Sequence, residues 1–349
     1  MELKTRNRII PVAILCLITF FACGKNNERQ FTLLQWNIWQ EGTMVSGGYD
    51  AIVNEIARLQ PDFVTFSEVR NYNYTRFNER IVASLKEKGL IYYSFYSYDS
   101  GLLSKYPIID STTIFPEKED HGSIYKMTVS LHGRTLAIYT AHLDYLNCAY
   151  YNVYGYDGST WKETSKPLSA DEVIRLNNLS QRDNAIKAFI KAAKEDLSNG
   201  YDVIIGGDFN EPSHLDWIDA TSYIHNHNGL TVSWTVTKLC DEAGFIDAYR
   251  HINPNPVTHP GFTYPSDNEH ASIQKLTWAP KADERERIDY VFYQGKNIEA
   301  KQAAIFGPNS SIVRSERLPE TSQDVFIEPL DVWPTDHKGV LITFGIKRE

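Results

Sequence analysis

The chain has 349 residues, of which 42% are apolar and 13% aromatic, and its formal net charge is −9. The length allows one large domain or two ordinary ones, and the apolar content suffices for a packed core, which excludes a disordered chain. The acidic balance argues against a tight, sequence-independent grip on a long polyanion, because such binding needs clustered Lys and Arg.

The N-terminus has the pattern of a secretory signal peptide over residues 1–22. Basic residues precede an apolar run from Ile9 to Phe21, which is too short for a settled membrane span. Ala22 and Gly24 flank Cys23 as in the lipobox of bacterial lipoproteins, which predicts that Cys23 is lipid-modified and becomes the mature N-terminus. An ordinary signal peptide and a poor transmembrane anchor are the alternatives.

This interpretation places the mature protein in the bacterial cell envelope, anchored by lipid to the outer membrane or cell surface. Loss of the signal peptide, which carries three basic residues and one acidic residue, would change the net charge from −9 to −11. Residues 23–30 would be the lipidated Cys and a polar tether, and 31–349 a single domain without linker or repeat. Cys148 and Cys240 could form a disulfide or remain as buried free thiols.

Strand and helix patterns alternate through the first part of the domain. Apolar periodicity and breakers predict strands at Phe31–Trp39 and Asp62–Val69, and helices at Asp50–Leu59 and Arg76–Lys88. Further strands are expected within 91–115. A hairpin is expected within 123–143, with its turn at His132-Gly133.

The second part begins with an aromatic insertion, Tyr145 to Pro167, which is long for a plain connection. Ser169 is a candidate N-cap for one long helix through Lys194. The remaining predicted elements are the buried strand Val203–Ile205, a helix over Val232–Glu242, and strands at Arg287–Tyr293 and Val340–Ile346.

Polar side chains with catalytic potential occur at the ends of these strands. Each has an ordinary explanation: a turn, a structural histidine, or a surface ion pair. However, a carboxylate in a buried strand, such as Glu68, is expensive unless it is paired, protonated or bound to a metal. Together these residues predict one cleft at one rim of a sheet core: Asn37, Glu68, His142, Asp144, Asp208, Asn210, Asp289, Asp336 and His337.

Six segments that contain these residues occur in a characteristic order: NIW, SEV, AHLD, GGDFN, RIDYV and TDHKGV. In this order they resemble the endonuclease/exonuclease/phosphatase superfamily, also called the DNase I-like fold, from Phe31 to the C-terminus. The resemblance implies an α/β protein, a four-layer α/β/β/α sandwich of two packed mixed sheets with the site at one end. Members hydrolyse phosphate esters with a divalent metal, and they include nucleases, abasic-site endonucleases, inositol polyphosphate phosphatases and bacterial sphingomyelinases.

The residue types independently suit phosphoester hydrolysis, which needs a positioned water and neutralisation of charge on the phosphoryl oxygens. Glu68, with Asn37 and Asp336, is expected to hold Mg²⁺ or Mn²⁺, because these ions prefer oxygen ligands. No Cys/His zinc spacing is present in the sequence.

The resemblance also implies catalytic roles. Asp208 would orient or deprotonate the water, and Asn210 would hydrogen-bond the phosphoryl group. His337 would donate to a nonbridging oxygen, while His142 would bind the phosphate or assist the leaving group. Asp289 would orient one of the two histidines.

A charge partner for His142 remains open in the sequence. Some nucleases of the superfamily carry a further charged residue on the strand before the histidine. The corresponding region here, residues 121–124, offers only His121.

Asp144, Tyr145, Trp161 and Trp217 are expected to line the rim and contact substrate. Aromatic faces there could stack on a base or sugar or cradle a quaternary ammonium group, or they could simply pack the insertion onto the body. The expected protein is a monomeric hydrolase of a small or lipid head-group phosphoester. An extracellular nuclease that scavenges DNA or RNA is the runner-up, and a catalytically inactive surface binding protein on the same scaffold is the alternative of another class.

Overall fold

The computed structural model describes residues 28–118, 121–167 and 169–348. The predicted signal peptide, Cys23 and most of the predicted tether lie outside these ranges. The first strand begins at Glu28 rather than Phe31, because residues 28–30 pair with the last strand of the chain. Across the described ranges, every helix is too short or too polar to cross a membrane.

Two six-stranded mixed sheets form the centre of the molecule, with strands numbered along the chain. The first sheet contains, in spatial order, β13 (Phe326–Ile327), β10 (Ile298–Phe306), β14 (Gly339–Lys347), β1 (Glu28–Asn37), β2 (Phe63–Val69) and β3 (Asp99–Ser104). The second contains β4 (Ile108–Phe115), β5 (Gly122–Leu131), β6 (Arg134–Leu143), β7 (Asp202–Asp208), β9 (Asp289–Gln294) and β8 (Ile246–Asp247). β11 (Ser310–Val313) and β12 (Glu316–Pro319) form a separate ribbon. The pairs β1–β2 and β6–β7 are parallel, whereas β1–β14 and β7–β9 are antiparallel.

Helices cover the outer face of each sheet. α1 (Gly48–Leu59) and α2 (Phe77–Glu87) pack on the first sheet, while α5 (Arg182–Ser198) and α6 (Thr235–Glu242) pack on the second. Four further helices of the described residues lie in the connections: α3 (Tyr150–Tyr154), α4 (Ala170–Asn177), α7 (Ala248–Ile252) and α8 (Ile273–Leu276). The predicted α/β/β/α sandwich is confirmed.

Side-chain alternation along β1 separates the core into layers. Phe31 and Leu33 belong to the cluster shared by both sheets, whereas Leu34 and Trp36 pack against the helices of the first sheet. The next residue on the inter-sheet face is Gln35, followed by Asn37 at the strand end. The inter-sheet faces of other central strands change from apolar to polar at the same end: Thr65 and Ser67 in β2, Thr140 and His142 in β6, Asp208 in β7, and Asp289 in β9. The fold therefore gathers the polar strand ends between the two sheets.

The single long helix predicted from Ser169 to Lys194 is wrong, although Ser169 does cap α4 by accepting a hydrogen bond from the backbone N–H of Glu172. The helix stops at Asn177, and α5 starts at Arg182. Asn177 and Arg182 are both buried, and the break lets the two side chains meet, with Arg182 donating to Asn177 Oδ1 at 2.7 Å. Tertiary contacts thus override a continuous helical pattern.

Cys148 and Cys240 are free and buried. Cys148 packs with the aromatic insertion, whereas Cys240 packs in the cluster between α6 and the second sheet. The disulfide that the sequence left open is therefore absent between these two described residues.

Candidate active site

The two sheets approach each other closely where their polar ends meet. A Cβ atom added at Gly206 of β7 would lie 2.2 Å from Thr65 Oγ1 of β2, so only glycine fits there. Thr65 donates to Gln35 Oε1 at 2.6 Å, and Gln35 Nε2 lies 3.3 Å from Asp289 Oδ1 in the other sheet. A hydrogen-bonded layer therefore supports the base of the site.

Asp208, at the end of β7, is the hub of the site. Its Oδ2 accepts a hydrogen bond from Asn37 Nδ2 at 2.9 Å, and its Oδ1 accepts one from the backbone N–H of Asn210 at 2.9 Å. Nε2 of His142 lies 3.9 Å from the same Oδ2, and Nε2 of His337 lies 3.7 Å from it. Both imidazoles therefore direct one nitrogen towards a single carboxylate oxygen.

Each histidine has its own carboxylate partner behind it. His337 Nδ1 lies 2.9 Å from Asp289 Oδ2, which identifies the histidine that Asp289 orients. His142 Nδ1 lies 2.8 Å from Asp99 Oδ1, so the partner that the sequence left open is Asp99. His121 instead contacts Asp144, at 3.2 Å.

These pairings determine the charges of the site. Burial lowers the pKa of His142, but the nearby carboxylates of Asp99, Asp208 and Glu68 together raise that pKa to about 9. Burial likewise opposes the charge on His337, and Asp289, Asp208 and Asp336 together outweigh it and raise the pKa of His337 to about 10. Burial and then Asp289 raise the pKa of Asp208, which the two histidines lower again, to about 6. At neutral pH the site thus holds two imidazolium groups beside an ionised Asp208.

Two carboxylates reach the site through unusual backbone conformations. Glu68 has φ = 68° at a β-bulge between Ser67 and Val69, and Asp99 opposite Val69 also has φ = 68°. Regular alternation would direct Glu68 to the helix-covered face together with Phe66. The bulge turns Glu68 into the cavity instead, and such left-handed residues often mark functional sites because they cost free energy.

Asn37 positions carboxylates in this structure. Its Nδ2 donates to Glu68 Oε1 at 3.1 Å and to Asp208, while its Oδ1 accepts from the backbone N–H of Trp39 at 2.9 Å. The oxygen that could bind a metal is therefore turned away from Glu68. In this amide orientation Asn37 orients Glu68 rather than binding a cation itself.

The donor set suits a hard divalent cation. Glu68 and Asp336 both line the cavity. Burial, partly offset by His337, raises the pKa of Asp336 to about 7. Burial also raises the pKa of Cys148 to about 12, so this nearby thiol stays protonated and is no competing soft ligand. Carboxylate oxygens favour Mg²⁺ or Mn²⁺.

Asp208 also belongs to a second set of possible metal ligands. Ligand atoms of Asp208, Asp289 and His337 all lie within 4.8 Å of one another. Nδ1 of His337 already contacts Asp289, so this nitrogen is engaged. The three residues therefore form an oriented imidazole beside a carboxylate.

The catalytic groups open into a cavity of about 580 Å³. It contains Asn210, whose Nδ2 donates to the Leu143 carbonyl at 3.0 Å, and the predicted rim residues Tyr145 and Trp161. Aromatic side chains form much of its wall: Trp39, Tyr72, Tyr98, Tyr145, Tyr150, Tyr151, Trp161, Tyr264 and Trp278.

Two predicted substrate contacts are wrong. Trp217 is 1% exposed, stacks on His227 with ring centroids 3.8 Å apart, and donates to Glu286, so it is a core residue that packs with the insertion. Asp144 is 1% exposed and accepts hydrogen bonds from the backbone N–H groups of Leu146 and Gln181. It fixes the loop after β6 instead of facing substrate.

Several residues at the site were not predicted from the sequence, namely Gln35, Ser67, Arg70, Asp99, Tyr264 and Trp278. Asp99 opens its strand, which runs antiparallel to β2, so its N-terminal end lies beside the C-terminal end of β2. A search at both ends of each strand would have found it. The alternation of β1 could have indicated Gln35, because it is a polar residue on the otherwise apolar inter-sheet face.

The chain is thus an α/β sandwich of two packed mixed sheets with a histidine–carboxylate site at one end. The chain matches the model of the Endonuclease/Exonuclease/phosphatase family over residues 34–337. It therefore belongs to this family, whose members are generally phosphoester-hydrolysing enzymes.

Known proteins resemble the chain over most of its length. An uncharacterized protein of Caenorhabditis elegans is 25% identical over 340 residues, covering 97% of this chain and 98% of the relative. The structure of D. rerio TDP2 complexed with single strand DNA product superimposes with a TM-score of 0.51 at 16% identity, covering 90% of this chain and 98% of that chain. TDP2 from C. elegans gives a TM-score of 0.50 at 15% identity, with 90% and 75% covered. The two structures share the fold with this chain.

Proposed function

We propose that this protein is a divalent-metal-dependent phosphoesterase that hydrolyses a small phosphate ester, soluble or in a lipid head group. The observation that most directly supports this proposal is that Nε2 of His142 and Nε2 of His337 lie 3.9 and 3.7 Å from Asp208 Oδ2. Two charged N–H donors in a buried site favour the negative charge that develops on phosphoryl oxygens. Membership of a family of phosphoester-hydrolysing enzymes supports this chemistry.

Different residues of the chain would carry out different steps of the hydrolysis. Asp208, held by Asn37 and by the Asn210 backbone, would orient the attacking water and accept its proton. One imidazolium would donate to a nonbridging oxygen, and the other would protonate the leaving oxygen. Asp99 and Asp289 would keep Nε2 of each ring directed at the substrate.

Glu68 and Asp336 would hold the divalent cation, with Asn37 orienting Glu68. When bound, Mg²⁺ or Mn²⁺ supplies positive charge that neutralises the phosphoryl oxygens.

A metal titration of activity tests this function. Chelation with EDTA should abolish hydrolysis of bis(p-nitrophenyl) phosphate, and Mg²⁺ or Mn²⁺ should restore it. Glu68→Gln should raise the metal concentration needed for half-maximal activity by about tenfold or more, as loss of a charged ligand weakens cation binding. Glu163→Gln, an exposed residue paired with Lys281, is the matched control. An unchanged metal requirement in Glu68→Gln would remove this residue from the metal site.

The charge of the cavity supports a small substrate over long nucleic acid. Among the cavity residues within the described ranges, Arg70 is the one Lys or Arg, and it lies 2.9 Å from Asp99. Phosphate-by-phosphate binding of a long polyanion needs several such groups. An extracellular nuclease therefore remains the second candidate.

We also propose that Cys23 carries a lipid that anchors the protein in the bacterial cell envelope, where it acts as a monomer. The support is the sequence pattern of residues 1–24. Metabolic labelling with palmitate should mark the wild-type protein in membranes and leave Cys23→Ala unlabelled. Equal labelling of both proteins would contradict the anchor.

A further inference from the structure

We propose that Tyr145, Trp161 and Trp278, here named the aromatic row, form a subsite that stacks a flat heteroaromatic ring of the substrate beside the reacting phosphate. The phosphate part of this inference rests on the proposed function, but ring binding is measurable without hydrolysis. All three side chains line the same cavity as His142 and Asp208.

The orientation of the rings favours a flat ligand. The rings of Trp161 and Trp278 have centroids 4.7 Å apart and planes inclined by 34°. The ring of Tyr145 lies 6.3 Å from Trp161, with planes inclined by only 7°. A cage for a quaternary ammonium group needs ring faces that surround the cation from several sides. The nearly parallel pair of Tyr145 and Trp161, with Trp278 tilted beside it, instead forms one row to which a further flat ring can add.

Trp161 is held in place by its own turn. Its backbone N–H donates to the Asp157 carbonyl at 2.8 Å, and its φ of 54° lies in the left-handed region that costs free energy for a residue with a side chain. Gly158 in this turn packs so closely on Cys148 that an added Cβ would lie 2.4 Å from the Cys148 carbonyl oxygen. The turn therefore fixes the backbone from which the indole projects.

Trp278 is anchored from a different segment. Its backbone N–H donates to the buried carboxylate of Glu284 at 3.1 Å, as does that of Ala279. The Trp278 side chain nevertheless remains 46% exposed. A large ring kept partly in solvent at the wall of a catalytic cavity is available for a ligand.

Equilibrium binding to the Asp208→Asn protein with Mg²⁺ tests the subsite in the absence of turnover. By calorimetry, adenosine 5′-monophosphate should bind about tenfold or more tightly than ribose 5-phosphate, because stacking one base contributes about 1–3 kcal/mol. Adding Trp278→Leu should remove this preference, and Trp278→Phe should keep most of it. Tyr223→Leu, an 88% exposed ring that is not among the cavity residues, is the matched control.

Other binding results would overturn the subsite or identify the source of the ring. Tighter binding of phosphocholine than of adenosine 5′-monophosphate, or a base preference that survives Trp278→Leu, overturns the subsite. A 5′-phosphorylated single-stranded DNA oligonucleotide that binds more tightly than the mononucleotide, with the same dependence on Trp278, supports the subsite and points to nucleic acid as the source of the ring. Equal binding of the oligonucleotide and the mononucleotide, with the same dependence on Trp278, supports the subsite and points to free nucleotides.

The two proposals fail in different ways. Trp278-dependent ring binding without any metal-dependent hydrolysis by the wild-type protein would contradict the proposed function alone. Metal-dependent hydrolysis, together with equal binding of adenosine 5′-monophosphate and ribose 5-phosphate, would contradict the subsite alone.

Discussion

The two histidines acquire their charge from the surrounding carboxylates, among which Asp99 and Asp289 contribute most. Each imidazole is buried, and burial alone would favour its neutral form. Asp99 and Asp289 reverse that preference at Nδ1, so that both Nε2 atoms carry protons and point at Asp208. A buried carboxylate behind each ring therefore determines both its orientation and its charge.

Asp99→Asn should lower the pKa of His142 from about 9, because burial is then opposed by the weaker contributions of Asp208 and Glu68. His142 would be charged only below its new pKa, so kcat should fall by about 10²-fold at pH 8 and by less at pH 6. NMR titration of His142 and the pH profile of kcat measure these changes. Ser123→Ala is the matched control, since Ser123 also contacts Asp99, at 3.2 Å, but carries no charge. An unaltered titration of His142 would show that Asp99 does not control it.

Sequence reasoning found the groups that surround the hub but not all of their partners. Asp208, His142, His337 and Asp289 follow from strand ends, and the structure brings them together. Asp99 was missed because the pairing of β3 with β2 is a long-range property. Trp217 was misassigned because an aromatic residue after a catalytic strand can equally pack inward, and sequence carries no signal for that direction.

At the scale of elements, breaks in regular structure position the loops of the site. Arg182, the first residue of α5, is fully buried, and its guanidinium donates to the backbone carbonyls of Asp144, Leu146 and Asn147 at 2.7–2.8 Å. That segment follows His142 and carries Tyr145. The gap between α4 and α5 therefore lets Arg182 hold the cavity wall next to His142.

Arg182→Met should lower the free energy of unfolding by about 3–5 kcal/mol, because it leaves the buried Glu211 carboxylate, 3.5 Å from Arg182 Nε, without its cation. Urea unfolding measures the loss. Arg175→Met, at an exposed position on α4, should change stability little. Adding Glu211→Gln to Arg182→Met should recover part of the loss. A change below about 1 kcal/mol in the single variant would contradict this role.

Element positions were predictable where apolar periodicity is strong. The two outer helices of the first sheet and strands β2 and β7 were predicted within a few residues, since their patterns are local. The break after Asn177 was not, because the helical pattern continues through it. Asn177 donates to Glu211, and Arg182 donates to the Asp144 carbonyl, so buried polar contacts with distant segments accompany the end of α4, and no local pattern encodes them.

At the scale of the whole molecule, the fold places a polar layer at one end of an apolar one. Between the sheets, Phe31 and Leu33 give way to Gln35 and Asn37 along a single strand. The ordered motifs were enough to predict the sandwich and the location of its site. They could not predict the aromatic row, because Trp161 and Trp278 come from segments more than a hundred residues apart.

The most direct test of the account is the Mg²⁺-dependent turnover of bis(p-nitrophenyl) phosphate by the wild-type protein and by Asp208→Asn, with thermal unfolding showing that both are folded. Single-stranded DNA, RNA, sphingomyelin and inositol phosphates complete the substrate panel. The account predicts metal-dependent hydrolysis by the wild type that falls by about 10²-fold or more in Asp208→Asn, because the positioned base is lost. Near-normal turnover in the variant, or no hydrolysis of any phosphoester by the wild type, would contradict it.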